Sequence, residues 1–229
     1  MSQKIIFTNT SSYPDLEKPT LASKEIPSWY AELNSYLAHK KVPGQDGEPT
    51  STIKRCMPVF DLMVAGYLIK SPADLFVSQK HGQPFYQWPT LDMIDFHPIQ
   101  QAPNHPDQNG GIYPKWHNHW SIKTPKGYST LFVQPFHRES VFTIFPALVD
   151  TDKYFAPVNF PFILKDVKFE GLIPKGTPIA QVIPIKRDDW FMEFGKEEDV
   201  AEQFKISQGL KTRFFDGYKT MFRQVKTYK

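Results

Sequence analysis

Cysteine is almost absent from the sequence, which contains Cys56 alone among 229 residues. A single cysteine excludes an internal disulfide and a multi-cysteine zinc site. It also favours an intracellular or virion setting over secretion. No nucleophile motif surrounds Cys56, so we predict a buried, structural thiol.

Long apolar runs and nucleotide-binding loops are missing as well. No stretch of about 18 consecutive apolar residues occurs, and the region from Met1 to Thr20 lacks a basic segment followed by an apolar run. We therefore expect neither an export signal nor a membrane partner. The absence of Gly-Lys-Ser/Thr, Gly-x-Ser-x-Gly and Gly-x-Gly-x-x-Gly motifs argues against P-loop kinases, elbow-type hydrolases and dinucleotide enzymes.

Proline and aromatic residues, in contrast, are abundant. The chain has 21 Pro, and Phe, Trp and Tyr make up 15% of its residues. Aromatic side chains favour half-buried pleated surfaces, whereas proline ends strands and breaks long helices. Hydrophobic residues make up 40% of the chain, enough to bury a sizeable core. These features predict a mainly β (α+β) protein built from short strands.

Composition divides the chain into three consecutive segments. Residues 1–26 contain prolines among Ser and Thr and are predicted to be an extended arm. Residues 27–190 are predicted to form a single β-rich domain with an N-terminal helix. Residues 191–229 have the pattern of a helical basic tail, which begins after the last proline-rich stretch.

Two short helices are suggested before the main run of strands. Trp29, Leu33 and Leu37 recur every four residues after a proline, which predicts a helix over residues 27–39. The run from Pro58 to Gly66 is short and apolar, so a helix and a buried strand both remain possible there.

Between residues 67 and 185 the pattern alternates between apolar runs and turns. Runs at 73–77, 129–133, 141–145 and 179–183 are predicted strands, because Pro or Gly follows nearly every one. The stretch from Phe96 to Gly111 is too long for an ordinary connection. We predict that this loop is a surface for a partner.

The tail carries a marked excess of positive charge. From Gln203 to Lys229 it has one acidic residue, Asp216, against Lys205, Lys211, Arg213, Lys219, Arg223, Lys226 and Lys229. Such residues could contact nucleic acid or an acidic partner, or simply solvate one helix face. Gly209 and Gly217 are expected to divide or bend the helix.

The histidines suggest a metal site. His117 and His119 would share one face of a strand, and two imidazoles with a carboxylate can hold a metal. His97, His105, His137, Asp95 and Asp107 are further candidate ligands. No His-Glu-x-x-His spacing is present, and the flanking Trp116 and Trp120 also suit an aromatic surface patch.

Four short motifs between residues 122 and 185 occur in a characteristic order: Thr124-Pro-Lys-Gly-Tyr128, Pro135-Phe-His-Arg-Glu-Ser140, Ala147-Leu-Val-Asp-Thr-Asp-Lys-Tyr154 and Pro174-Lys-Gly-Thr-Pro-Ile-Ala-Gln181. Together they resemble the core of the dUTPase and dCTP deaminase superfamily. The resemblance implies a β-clip, dUTPase-like barrel of short strands, often assembled as a homotrimer.

The same resemblance implies roles for five residues. Asp150 matches the carboxylate that positions the attacking water, and Tyr154 matches the tyrosine that packs against the sugar. Arg138 and Ser140 match the phosphate motif, and Gln181 matches the glutamine of the last strand. An active enzyme of this kind would use Mg²⁺ as cofactor, and a non-catalytic relative would need none.

Several positions depart from the pattern of the family. Lys153 adds one residue before Tyr154, which reverses the facing of a strand residue, and Glu139 would repel a triphosphate. Gly209 and Gly217 stand apart, so no glycine-rich C-terminal arm is present to close over a nucleotide. No glutamate occurs in 158–164, where the deaminases keep their catalytic acid.

The sequence also resembles uncharacterised proteins of tailed bacteriophages in residues 52–66 and 128–190. We therefore predict a non-catalytic structural or binding module of a phage, a candidate virion component that forms homo-oligomers and is located in the virion or the host cytoplasm. The alternative is a divergent Mg-dependent nucleotide pyrophosphatase. A histidine-ligated metal protein is the third hypothesis.

Overall fold

The computed structural model describes residues 3–13, 15–37, 51–89, 92–98, 105, 113–211 and 217–229. It divides into two compact units, each made from two stretches of chain. Unit 1 consists of Met1–Glu25 and Gly66–Arg187, and unit 2 consists of Ile26–Ala65 and Asp188–Lys229. The division into three consecutive segments stays a prediction.

Unit 1 contains all the strands among the described residues, and the predicted mainly β class is confirmed. The strands are β1 Ile6–Asn9, β2 Thr20–Leu21, β3 Tyr67–Lys70, β4 Leu75–Lys80, β5 Gln83–Gln87, β6 Ile94–His97, β7 Tyr113–Trp116, β8 Trp120–Lys123, β9 Tyr128–Val133, β10 Phe142–Ile144, β11 Ala147–Val149, β12 Phe160–Leu164, β13 Gly171–Ile173 and β14 Pro178–Lys186. The four apolar runs predicted as strands correspond to β4, β9, β10 and β14. Most of the loop predicted over 96–111 lies outside the described residues.

These strands form small antiparallel sheets. The largest has the order β11-β9-β14-β3-β2, and a second has the order β10-β12-β7-β6. A third sheet has the order β13-β4-β5, and β1 pairs with β8. Proline and glycine keep most strands short, as expected from the composition.

Aromatic side chains fill the core of unit 1. Trp116, Phe142 and Phe162 are fully buried, and their ring centroids are 5.1 to 5.5 Å apart. Tyr86 meets Phe162 edge to face, with centroids 6.0 Å apart. Offset and edge-on contacts of this kind add to the hydrophobic stabilisation from burial. The contact of Tyr86, on β5, with Phe162, on β12, joins two of the sheets.

Gly66 immediately precedes β3 and lies directly against β14. Its φ is +67°, and a Cβ built there would lie 2.0 Å from the carbonyl oxygen of Val182. Both the backbone conformation and the lack of space therefore require glycine at this position.

Unit 2 contains the described helices: α1 Ser28–Glu32, α2 Met57–Met63, α3 Glu197–Lys211 and α4 Gly217–Met221. The N-terminal helix and the helical C-terminal tail are thus confirmed. The Pro58–Gly66 run is the helix α2, not a strand. None of the helices among the described residues is long and apolar enough to cross a membrane.

The first helix is shorter than predicted. Leu33 is extended, with ψ at 131°, and the carbonyl groups of Asn34 and Ser35 accept hydrogen bonds from Thr52 at 2.5 and 3.0 Å. A β-bridge between Tyr36 and Ser51 follows. Pairing with a distant segment thus replaces the helical turn that the leucine spacing suggested.

Two further details of unit 2 correct the sequence predictions. Gly209 lies inside α3 and does not divide it, because the helix continues to Lys211. Cys56 is exposed, so the prediction of a buried thiol is wrong. It is the residue immediately before α2.

An ion-pair cluster ties the C-terminal end of unit 2 to α2. Asp61 is 8% exposed, and its carboxylate accepts from Arg223 Nη2 at 2.6 Å and from Lys226 Nζ at 3.0 Å. The hydrogen bond from Arg223 lowers the pKa of Asp61, and burial acts in the opposite direction. Two of the basic tail residues therefore serve an internal contact.

Candidate functional site

A pocket of about 450 Å³ opens beside the segment that follows β11. Its walls come from β6, β7, the end of β11 and the chain leading into β12. The lining residues are His97, Lys115, Val149, Tyr154, Pro157, Val158 and Asn159. A volume of this size lies within the range of small-molecule sites.

The floor of the pocket takes its polar groups from adjacent strands. Asp95 lies directly opposite Lys115 in the β6–β7 ladder, and the two side chains form an ion pair at 2.9 Å. His97 shares their face of β6, because side chains two residues apart point to the same side. The hydrogen bond from Lys115 lowers the pKa of Asp95. Lys115 therefore brings to the pocket wall a cation that is paired with Asp95.

The turn after β11 is held by a second cluster, centred on Arg187. Arg187 Nη1 donates to Asp150 Oδ1 at 3.1 Å and to Asp152 Oδ1 at 3.0 Å, and Nη2 makes a further contact with Asp152. Ser129 Oγ donates to Asp150 Oδ1 at 2.7 Å. The backbone N–H of Gly127 donates to Asp152 at 2.9 Å. The turn, the start of β9 and the end of β14 are thereby joined.

The electrostatics of this cluster favour the ionised form of Asp152. The hydrogen bond from Arg187 and that from the Gly127 N–H lower the pKa of Asp152 to about 2. The same carboxylates raise the pKa of Arg187. The carboxylate of Asp150 accepts hydrogen bonds from a guanidinium and a hydroxyl at Oδ1.

Buried threonine hydroxyls hold the turn after β11 in place by hydrogen bonds. Thr151 Oγ1 is 2.8 Å from Thr124 Oγ1 and 2.7 Å from Thr130 Oγ1. Thr124 Oγ1 also donates to the carbonyl of Tyr128 at 3.2 Å. All three threonines are buried, so this network fixes the Asp150–Asp152 segment on β9.

Arg138 has a structural environment. Its guanidinium donates to the carbonyl oxygens of Ala22, Glu25 and Phe136 at 3.0 to 3.1 Å. Burial lowers its pKa, and the negative charge of Glu25 partly offsets the effect. The side chain therefore anchors the N-terminal segment of unit 1.

Ser140 and Gln181, the proposed ligand-binding residues, also contact the main chain. Ser140 Oγ donates to the carbonyl of Phe142 at 2.8 Å and accepts from its N–H at 3.2 Å. Gln181 is fully buried on β14, and its Oε1 accepts from the N–H of Phe136 at 3.0 Å. These contacts shape the 136–142 loop, and neither residue lines the pocket.

His117 and His119 follow β7, but neither lies in a metal-binding arrangement. His117 Nε2 is 3.9 Å from Asp95 Oδ2, and the His119 ring packs edge-on against Tyr13. Burial and the nearby His117 lower the pKa of His119. Within the described parts of the chain, no three His, Cys, Asp or Glu side chains are grouped to hold a metal.

The donor set likewise does not fit a magnesium site. Asp150 and Asp152 are the adjacent carboxylates of the predicted catalytic turn, and both bind Arg187. A hard divalent cation requires oxygen ligands whose charge is available to it.

The structure gives different partners to the side chains that the motifs placed in one site, although the Tyr154 N–H donates to the carbonyl of Asp150 at 2.8 Å. Tyr154 lines the pocket, whereas Asp150 belongs to the Arg187 cluster and Arg138 to the N-terminal anchor. Sequence reasoning missed Arg187 and the pocket residue Lys115. The close spacing of the carboxylates of Asp150 and Asp152 indicated that a basic residue pairs with them. No local pattern indicated which basic residue that is.

Comparison with known proteins returned structural neighbours only. The sequence matches no protein-family model and no curated protein. One similar structure is a variant dUTPase of S. aureus phage phi11, with a TM-score of 0.35 and 11% identity over 85% of this chain and 97% of that chain. Another is a variant dUTPase of Staphylococcus bacteriophage 80alpha with dUpNHpp, with a TM-score of 0.35 and 12% identity over 85% of this chain and 88% of that chain. Both come from the superfamily that the motifs resemble, and the TM-scores are too low to transfer any residue role.

Proposed function

We propose that this chain is a non-catalytic binding module on a dUTPase-like β scaffold, with the pocket beside Tyr154 as its ligand site. The observation that carries the proposal is the separation of the expected catalytic groups. Asp150 is bound by Arg187 and Ser129, and the guanidinium of Arg138 donates to main-chain carbonyls. Of the three, only Tyr154 lines the pocket. A general base and a phosphate-binding group are therefore not assembled around a substrate.

The chemistry of the pocket supports a ligand with a ring and an anionic group. Val149, Pro157 and Val158 supply an apolar wall, and the Tyr154 ring offers a stacking surface. Lys115 is the cation of the pocket, and the amide of Asn159 can donate and accept hydrogen bonds. A nucleotide combines these features, and we propose it as the ligand class.

The absence of catalysis is tested by incubating the protein with each deoxynucleoside triphosphate and Mg²⁺ and assaying pyrophosphate. We expect release no faster than in the protein-free blank. Asp150→Asn serves as the matched variant, because it keeps the shape of the side chain and removes its charge. Pyrophosphate release that is lost in Asp150→Asn would instead establish the alternative, a Mg-dependent nucleotide pyrophosphatase.

Binding is measured with the same nucleotides by calorimetry, and Mg²⁺ is left out to prevent turnover. Loss of a stacking ring is worth about 1–3 kcal/mol, so Tyr154→Ala is expected to weaken binding at least about fivefold. Phe155→Ala is the matched control, because this neighbouring ring is exposed and packs against Lys123 outside the pocket lining. Equal losses in the two variants, or no binding of any nucleotide by the parent, would refute the nucleotide site.

We further propose that the module acts as a homotrimeric component of a tailed-phage particle. The eroded catalytic groups on a retained scaffold and the phage-like stretches of sequence support this role. Mass spectrometry of purified particles tests it directly. Absence of the chain from the particles would place it in the host cytoplasm and remove the virion role.

A further inference from the structure

The chain leaves an exposed apolar segment directly after unit 1 ends. Trp190 and Phe191 are each 89% exposed, and Met192 and Phe194 are each 82% exposed. The segment contains no helix or strand and precedes α3. We refer to residues 190–194 as the apolar arm.

An arm of this composition is unusual for a surface that remains in water. Each aromatic side chain can bury about 150–250 Å², so the three rings of the arm expose about 450 Å² or more. Apolar patches on monomeric proteins rarely exceed a few hundred Å². Burial of the arm against another surface would therefore be strongly favourable.

Unit 1 offers a matching surface on the sheet β13-β4-β5. Leu172 lies opposite Phe76 in the β13–β4 ladder, and Phe85 lies opposite Ser78 in the β4–β5 ladder. By strand alternation these apolar side chains share the outer face, whereas Leu75 and Val77 point into the core. Phe76, Leu172 and Phe85 are 49%, 44% and 41% exposed, and together we call them the outer face.

The size of the two surfaces suits a specific contact between proteins. The arm and an equal area of the outer face would together remove about 1,000 Å² from water, the lower bound for a specific interface. Sheets of three strands also have two edge strands near such a face, which an extended segment can approach.

Charge favours a protein surface over a lipid surface. Asp188, Asp189 and Glu193 flank or interrupt the arm, and their charge would be repelled by anionic lipids. On the outer face Lys80 has its ammonium 5.2 Å from the centre of the Phe85 ring. The carboxylates of the arm can therefore pair with Lys80 of the outer face.

We propose that the apolar arm of one copy packs on the outer face of a second copy of this chain. Each copy would then give one arm and receive one, a head-to-tail contact that closes into a ring if the rotation permits. This proposal is independent of the nucleotide pocket, because no residue of the arm or the outer face lines that pocket.

Sedimentation equilibrium of the full chain over a range of concentrations tests the arm. Hot-spot residues typically cost at least about 2 kcal/mol, so the double variant Trp190→Ser, Phe191→Ser is expected to raise the dissociation constant at least about thirtyfold. The matched control is Val200→Ser, Phe204→Ser, which removes two exposed apolar side chains of α3 outside the arm. A monomeric parent, or equal weakening in the control, would overturn the proposal.

Complementation then distinguishes a contact between copies from one within a chain. The variant Phe76→Ser, Leu172→Ser lacks the outer face and should also be dissociated. Mixed with the arm variant, it still supplies an arm to an intact outer face, so the mixture is expected to form heterodimers. Failure of the mixture to associate, or binding of the parent to phosphatidylcholine vesicles that the arm variant loses, would count against the second copy as partner.

Discussion

Gly66→Ala is expected to reduce the free energy of unfolding of unit 1 by at least about 4 kcal/mol. A left-handed backbone costs an alanine about 1–2 kcal/mol. The new Cβ would also lie 2.0 Å from the Val182 carbonyl oxygen, and backbone atoms cannot move aside as a flexible side chain can. Because β3 pairs with β14 at this point, the strands must separate to admit the methyl group. Urea unfolding followed by the fluorescence of the buried Trp116 and Trp120 measures the loss.

Gly82→Ala separates the clash from the backbone preference. Gly82 has φ at +74°, but a Cβ there meets no atom within 4 Å. It should therefore lose only about 1 kcal/mol, the cost of the left-handed conformation. Similar losses in both variants would show that the close approach of Gly66 to Val182 contributes little to the loss of stability.

Asp61→Ala is the second substitution with a large expected effect, on α2 and the C-terminal end of unit 2. It would remove the carboxylate that accepts hydrogen bonds from Arg223 and Lys226, and both cations would lose this partner. Breaking a fully buried ion pair costs about 3–5 kcal/mol, but Lys226 is half-exposed, so we expect about 2 kcal/mol. Amide hydrogen exchange of α2 should accelerate about thirtyfold, since about 1.4 kcal/mol corresponds to a factor of ten.

Lys226→Ala provides the graded control, because its exposed ammonium should contribute less than about 1 kcal/mol. The effect of Asp61 also has a defined pH dependence. Because its pKa is lowered in the folded state, its contribution is fully present above the unfolded value of about 3.9 and disappears as pH falls through the folded value. The Asp61→Ala variant should lack this component. Unchanged exchange in α2, or an identical acid profile in parent and variant, would contradict the assigned role.

Much of the fold could be predicted because it depends on local patterns. Proline-punctuated apolar runs gave β9, β10 and β14, and Pro58 with Gly66 bounded α2. The helix predicted over 27–39 was too long, because three apolar residues at fourfold spacing cannot indicate that Ser35 pairs with Thr52. Gly209 within α3 shows the same limit, since its cost of about 1 kcal/mol is readily overcome by the rest of a helix.

The candidate site was less predictable because its contacts join distant residues. Motif order placed Asp150, Arg138 and Tyr154 together, but each side chain has a different environment. The partner of Asp150 is Arg187, which depends on the β14–β9 register that sets Lys186 opposite Tyr128. Lys115 is placed beside the pocket by the pairing of β7 with β6 and β12. Such registers are not contained in any short window of sequence.

The central position of β14 also determines when unit 1 can form. β14 pairs with β3 on one side, joining Pro178 to Lys70, and with β9 on the other. During synthesis, the β3–β14 and β9–β14 ladders must therefore wait for a strand near the end of unit 1, whereas the β2–β3 and β9–β11 pairs involve strands made earlier. Contacts of such long sequence separation slow folding. They also prolong the exposure of apolar strand residues such as Leu68 and Ile69. The nascent chain is consequently most vulnerable to aggregation until residue 186 has left the ribosome.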